Sequence, residues 1–238
     1  MPRFFTDAAQ ISETHILLDD ETQKHIQVLR LAPNENFTIC DGAGRDYLCI
    51  LDGAAARILS HAPNLAEPKL QVSVFLAFSR GERMDLAIQK SVELGAASIS
   101  LFPSRYCVAK YSAKDLPKKC ARWEKIILEA AKQSGRGRLP ALHTHSSFQS
   151  AMEAAACFSS ALFFYEQETA SLKARLADSD ASSSLSFVIG SEGGFSVEEA
   201  TLAASLGLLP TSLGPRILRC ETAPLAALSA ILFHAGEL

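Results

Sequence analysis

This 238-residue chain has few cysteines, little tryptophan and no long apolar run, and each shortage closes off a class of protein. Its six cysteines are Cys40, Cys49, Cys107, Cys120, Cys157 and Cys220; they are scattered and form no C-x-x-C pair. In a chain of this size that argues against both a disulfide framework and a zinc site. Reduced thiols and a cytoplasmic location are expected. No apolar run nears the roughly 18 residues of a membrane span, so no membrane partner is expected. The opening Met1-Pro-Arg-Phe-Phe-Thr-Asp7 lacks a signal-peptide pattern. His25, His143 and His145 have no metal spacing with the cysteines and read as core or surface histidines, so no metal is expected. Asp41 and Asp115 have no evident carboxylate partner, which leaves a glycosidase reading without support. Neither G-x-x-x-x-G-K-[ST] nor G-x-G-x-x-G occurs.

What is present is an apolar content of 48 %, enough for a substantial core. The net charge of −3 hides an asymmetry. Residues 1–68 hold five Lys/Arg against ten Asp/Glu, whereas residues 80–140 hold thirteen against six. A basic middle on an acidic chain permits a phosphate-bearing partner. Arg80, Arg83, Arg105 and the segment Gln133-Ser-Gly-Arg-Gly-Arg138 fall at element ends, where loops carry function. Glycine–arginine loops can follow a nucleic-acid backbone through forked phosphate contacts. An ordinary solvated surface is the plain alternative.

Periodicity divides the chain. Ile16–Leu18, Asn36–Cys40, Arg45–Ile50 and Arg57–Leu59 read as short strands, with a helix at Thr22–Leu31 and a turn at Asp41–Gly44. Short strands and turns predict a compact β-barrel. Residues 60–70 read as a linker. Beyond it, continuous apolar runs at Val72–Phe78, Ile99–Phe102, Ala161–Tyr165 and Leu185–Ile189 predict strands buried on both faces. Helices are predicted at Glu82–Leu94, Ala121–Ser134, Phe148–Ala156, Ser171–Leu176, Thr201–Leu206 and Thr222–Phe233, and short strands at Leu139–Leu142 and Thr211–Leu213. Ser179–Ser184 reads as an exposed loop. The alternation argues an α/β domain with a largely parallel sheet.

Two stretches concentrate unusual residues. Val188-Ile-Gly-Ser-Glu-Gly-Gly-Phe-Ser-Val-Glu-Glu199 reads as a strand end, a glycine turn and a capped helix start. Ser196 and Glu199 fit a capping box. Gly190, Gly193 and Gly194 permit close backbone approach to a ligand or positive φ. Glu192 inside the turn would repel phosphate and suits a ligand bearing an amine, hydroxyls or a cation. A tight turn whose glycines serve geometry alone is the competing reading. The second stretch is Leu213-Gly-Pro-Arg-Ile-Leu-Arg-Cys-Glu-Thr-Ala-Pro-Leu225, with Arg216, Arg219 and Glu221 beside an apolar tail. These charges could equally form weak surface pairs. Glu221 or Thr222 could simply cap the last helix.

Several of these segments, in this order and spacing, resemble the ribosomal RNA small subunit methyltransferase E family of the SPOUT superfamily, the 16S rRNA uridine-N3 methyltransferases. They are Pro2-Arg-Phe-Phe5, His25-Ile-Gln-Val-Leu-Arg30, Gly81-Glu-Arg-Met-Asp-Leu-Ala-Ile-Gln-Lys-Ser-Val-Glu-Leu-Gly95, Arg122 to Arg136, Ile189-Gly-Ser-Glu-Gly-Gly194 and Leu213 to Ala223. The resemblance covers essentially the whole chain. It implies a PUA-like, RNA-binding β-barrel over residues 1–68. Residues 69–238 would form a SPOUT-type α/β methyltransferase domain with a carboxy-terminal trefoil knot. It implies a homodimer that binds S-adenosyl-L-methionine and methylates N3 of one uridine of 16S rRNA. The implied cofactor site is Phe164, Tyr165, Glu166, Ile189, Gly190, Ser191, Glu192, Gly193, Gly194, Leu213, Gly214, Ile217, Leu218 and Arg219. Arg219 and Glu221 are the expected catalytic pair, a cation to favour the N3 anion and a carboxylate to accept its proton. RNA contacts are expected at Arg3, Arg30, Arg80, Arg83, Arg105, Arg136, Arg138 and Arg216. The family pattern departs at Ser191, usually proline, at Cys220, usually threonine, and at Pro224, usually alanine. A related knotted enzyme with another RNA target and a non-catalytic ribosome-assembly protein are the alternatives.

Overall fold

The computed structural model describes residues 1–112, 114–177 and 184–238. The chain divides into two compact units, Met1–Glu67 with Ala131–Leu139, and Pro68–Ala130 with Pro140–Leu238. The returning segment 131–139 is not visible in composition.

In the first unit, β1 (Arg3–Phe5), β2 (His15–Leu17), β3 (Phe37–Cys40), β4 (Arg45–Asp52) and β5 (Ala55–Pro63) form one sheet in the order β1-β3-β4-β5-β2. The β1–β3 pair is parallel and the rest antiparallel. Helix α1 (Asp20–Leu29) starts at Asp19, whose side chain accepts from the Thr22 amide. Phe4, Ile16, Ile26, Phe37, Ile39 and Tyr47 build the core, with Phe4 and Phe37 edge to face at 5.8 Å. Strand β1 went unpredicted because three residues carry no periodic signal, and β5 runs four residues into the expected linker.

The second unit is α/β. Its six-stranded parallel sheet has the order β11-β9-β10-β6-β7-β8, from β6 (Gln71–Ala77), β7 (Ser98–Phe102), β8 (Ala141–Thr144), β9 (Ser160–Phe164), β10 (Ser184–Ile189) and β11 (Leu209–Thr211). All residues of β9, and all but the first of β6 and β10, are buried, which accounts for their continuous apolar sequences. The helices are α2 (Glu82–Glu93), α3 (Leu116–Gln133), α4 (Phe148–Ala155), α5 (Leu172–Ala177), α6 (Val197–Ser205) and α7 (Ala223–His234). Helix α3 begins five residues before the expected Ala121, and Pro117 sits in its first turn, where the missing N–H carries no penalty. Strand β11 lies two residues earlier than expected and contains Pro210, tolerated because β11 is an edge strand. The loop expected at Ser179–Ser184 lies outside the described residues but for Ser184, which opens β10. Among the described residues no helix is long and apolar enough to cross a membrane.

Candidate active site

In a parallel sheet, ligands bind beyond the carboxyl ends of the strands. Here β9, β10 and β11 are neighbours, and their carboxyl ends lead directly into Tyr165–Glu166, the glycine turn and the Ser212–Glu221 run. These three segments line one cavity of about 840 Å³ in the second unit.

The glycine turn is shaped by its sequence. The Gly194 amide donates to the Ser191 carbonyl at 3.0 Å, and Gly194 has φ +66°. A Cβ on Gly194 would lie 2.8 Å from the Glu166 carboxylate, and one on Gly193 would lie 2.7 Å from Tyr106 Cβ. Helix α6 starts as the sequence predicts, with the Glu199 amide donating to Ser196 Oγ and the Ser196 amide donating to Glu199 Oε2. Gly214, at φ +102°, turns the second loop.

Charge is arranged around these loops. Glu192 Oε1 accepts from the Arg80 amide at 3.2 Å and from Arg83 Nη1 at 3.1 Å. Burial opposes ionisation of Glu192, but backbone N–H groups and the Arg83 guanidinium outweigh it and hold the carboxyl below its ordinary range. Glu221 Oε1 lies 4.0 Å from Arg219 Nη1 and 4.0 Å from Arg83 Nε. Cys220 Sγ donates to Glu221 Oε2 at 3.3 Å. Burial first, then the neighbouring carboxylates, push the Cys220 thiol up to about 12, so it stays protonated. Of the four hydroxyls buried without a partner among the described residues, two belong to this site, Ser191 Oγ and Tyr165 Oη. Both residues line the cavity. Buried hydroxyls left unpaired are uncommon and mark a place for a polar ligand atom.

Every residue expected for a cofactor lines this cavity, as do Arg219 and Glu221. Ile217 lines it while 88 % exposed, so it stands at the mouth rather than deep inside. The expected RNA arginines are dispersed. Arg30, Arg80, Arg105, Arg138 and Arg216 are exposed. Arg105 Nη1 donates to Glu198 at 2.8 Å and Arg138 Nε to the Ala43 carbonyl at 3.3 Å. Arg30 is the left-handed cap of α1. The other three arginines are paired with carboxylates of the chain itself. Arg136 is 3 % exposed and engaged by Glu67. Arg3 forms a two-pronged pair with Asp46 at 2.9 Å and donates to the Arg136 carbonyl. Arg83 faces the cavity beside two carboxylates. Arg83 in this role, Tyr106 behind Gly193 and the cavity residues Glu168, Thr169, Ser171 and Thr211 are not announced by sequence, since each lies outside the two glycine-bearing stretches.

With this geometry in place, similarity decides the family. The sequence profile of the RNA methyltransferase domain matches residues 66–232, and that of the RNA methyltransferase PUA domain matches residues 18–57. The ribosomal RNA small subunit methyltransferase E of Bacillus subtilis (strain 168) is 31 % identical, over 98 % of this chain and 97 % of its own length. The chain belongs to the ribosomal RNA small subunit methyltransferase E family. Its namesake from Mesomycoplasma hyopneumoniae is 35 % identical over 96 % of this chain and 98 % of its own. Among solved structures, the ribosomal RNA small subunit methyltransferase E of Neisseria gonorrhoeae bound to S-adenosyl methionine superposes with a TM-score of 0.88. It is 32 % identical, covering 98 % of this chain and 97 % of the other.

Proposed function

We propose that this member of the family methylates N3 of one uridine in 16S rRNA, with S-adenosyl-L-methionine held in the cavity at the ends of β9, β10 and β11. The observation that carries this reading is the convergence of the two glycine-bearing loops on one concave site of about 840 Å³. That size suits a nucleoside cofactor. The site fits it chemically as well. Ser191 Oγ and Tyr165 Oη await partners, and Glu166 and Glu168 place negative charge in the lining. A cationic ligand with ribose hydroxyls answers both features.

When bound, this cofactor supplies an electrophilic methyl group on a sulfonium. The chain's own residues do the rest. Backbone groups at 189–194 and 213–218 bind adenine and ribose, with Leu213 and Leu218 flanking the base and Ile217 at the mouth. Glycine at 190, 193 and 194 keeps the backbone near enough to donate and accept. Uridine N3 is weakly acidic and must lose its proton before it attacks. Arg219, 77 % exposed, supplies the cation that favours the N3 anion. Glu221, at 14 % exposure and within 4.0 Å of that cation, accepts the proton. Cys220 holds Glu221 through its thiol proton and takes no proton itself.

The first unit then serves as the PUA-like RNA-holding part, and the second as the methyltransferase, its carboxy-terminal part forming the SPOUT trefoil knot. The active species is a cytoplasmic homodimer acting on the small ribosomal subunit. Arg30, Arg80, Arg105, Arg138 and Arg216 carry phosphate contacts.

Mass mapping of methylated nucleotides in 16S and 23S rRNA from a strain lacking the gene tests this. Loss of a single N3-methyluridine from 16S rRNA, restored by the wild-type gene, is expected. A missing methyl group in 23S rRNA would redirect the target. An unchanged pattern, with no calorimetric binding of S-adenosylmethionine, would leave a scaffold and no enzyme.

A further inference from the structure

The glycine turn and the 213–221 run are both loops, and among the described residues no hydrogen bond between them ties one to the other. A side chain from a third element stands between them. Arg83 lies in the first turn of α2, a helix anchored by the fully buried Met84, Ala87 and Ile88. Its Nη1 donates to Glu192 Oε1 at 3.1 Å, and its Nε is 4.0 Å from Glu221 Oε1. Glu192 belongs to the glycine turn and Glu221 to the end of the second loop. The Arg80 amide, from the residues leading into the same helix, adds a second donor to Glu192 at 3.2 Å.

We propose that Arg83 is a positioning residue that fastens the two donor-binding loops to helix α2, through Glu192 on one side and Glu221 on the other. The inference rests on the donor-site reading above. A planar guanidinium suits this task because its fork meets two acceptors from one rigid plane. Glu192 Oε1, which accepts from both donors, then serves to fasten the turn. Both near neighbours of the Arg83 guanidinium are carboxylates, which already match its charge.

The test measures S-adenosylmethionine binding by calorimetry and steady-state KM for both substrates, using the full-length protein. The variants are Arg83→Ala, Arg83→Gln and Arg83→Lys, with Glu192→Gln alone and combined with Arg83→Ala. Arg83→Ala and Arg83→Gln should weaken donor binding about tenfold, the range for a lost hydrogen bond between charged groups. Donor KM should rise accordingly, with the RNA KM and thermal midpoint unchanged, and Arg83→Lys should restore most of the affinity. In the double variant the second substitution should add little, because both remove the same link. A rise in RNA KM with unchanged donor affinity would overturn the proposal in favour of an RNA contact. Additive losses in the double variant would overturn it by separating Arg83 from Glu192. Wild-type protein that binds no donor would fail the site reading itself, and the proposal with it.

Discussion

Glu67 grips Arg136 from two sides within the first unit, Oε1 taking Nε at 3.2 Å and Oε2 taking Nη2 at 2.8 Å. The same Oε1 accepts the amides of Gly137 and Arg138, each at 3.0 Å. Gly137 has no room for a side chain, because a Cβ there would lie 2.5 Å from Asn64 Cβ. One carboxylate thus organises Arg136, Gly137 and Arg138; Gly137 serves packing, whereas Gly135, at φ +77° with open space around it, turns the chain.

Removing either partner strands a buried charge. Arg136→Ala and Glu67→Gln should each destabilise the protein by about 3–5 kcal/mol, as for other broken buried pairs. The pH dependence has a definite sign. Burial raises the Glu67 carboxyl, but Arg136 and the two amides outweigh it and set it below its ordinary 4.5. Its contribution is therefore complete above pH 4.5 and fades as pH falls through the depressed folded value. Thermal unfolding of wild type and Glu67→Gln should show a gap that narrows in acid; a gap independent of pH would contradict the assignment.

The glycine turn offers a sharper test of the cavity. Gly194→Ala forces a side chain into φ +66° and drives its Cβ toward Glu166. The left-handed conformation alone costs about 1–2 kcal/mol. Gly193→Ala, in contrast, meets Tyr106 and must displace that residue. Both variants should lose measurable S-adenosylmethionine affinity by calorimetry. Gly207→Ala makes a control outside the cavity lining: it too has positive φ, at +91°, but open space around it. It should lose stability and keep affinity.

These features differ in how far sequence reveals them. The Ser196–Glu199 capping box and the doubly buried β6, β9 and β10 are local patterns, set by residues three apart or by continuous apolar runs, and they form as expected. The Arg136–Glu67 pair joins positions 69 apart, and Arg83 reaches Glu192 across 109. An arginine beside glycines carries the same local signature whether it faces RNA or a buried carboxylate. Only the chain's return to its own first unit tells the two apart for Arg136.

Ser191 should separate ligand recognition from stability. Its hydroxyl is buried and unpaired, and the residue is 6 % exposed. Ser191→Ala removes an unsatisfied group, so the free protein should unfold at the same temperature or slightly higher. If the hydroxyl bonds the donor, affinity should fall by about 2–10-fold, the range of one neutral hydrogen bond. Equal affinity in wild type and variant would assign the hydroxyl no role in binding.

Glu221 and Arg219 carry the most specific chemical claim. If Glu221 accepts the N3 proton, Glu221→Gln keeps the size of the side chain and the acceptor for the Cys220 thiol while removing the base. The rate at saturating substrate should then fall by about 10²–10⁴-fold, the usual contribution of general base catalysis, with donor affinity little changed. The loss should shrink as pH rises toward the range where uridine N3 ionises in solution, because a substrate that arrives as the anion needs no base. Arg219→Gln removes the cation that favours the anion, so its defect should likewise shrink at high pH, where N3 ionises unaided. Cys220→Ala, which removes a thiol that stays protonated to about 12, should affect the rate only through the placement of Glu221. A Glu221→Gln variant with a wild-type rate across this pH range would mean that alignment of nucleophile and sulfonium suffices. Glu221 would then be left as a brace for Arg83 and Arg219.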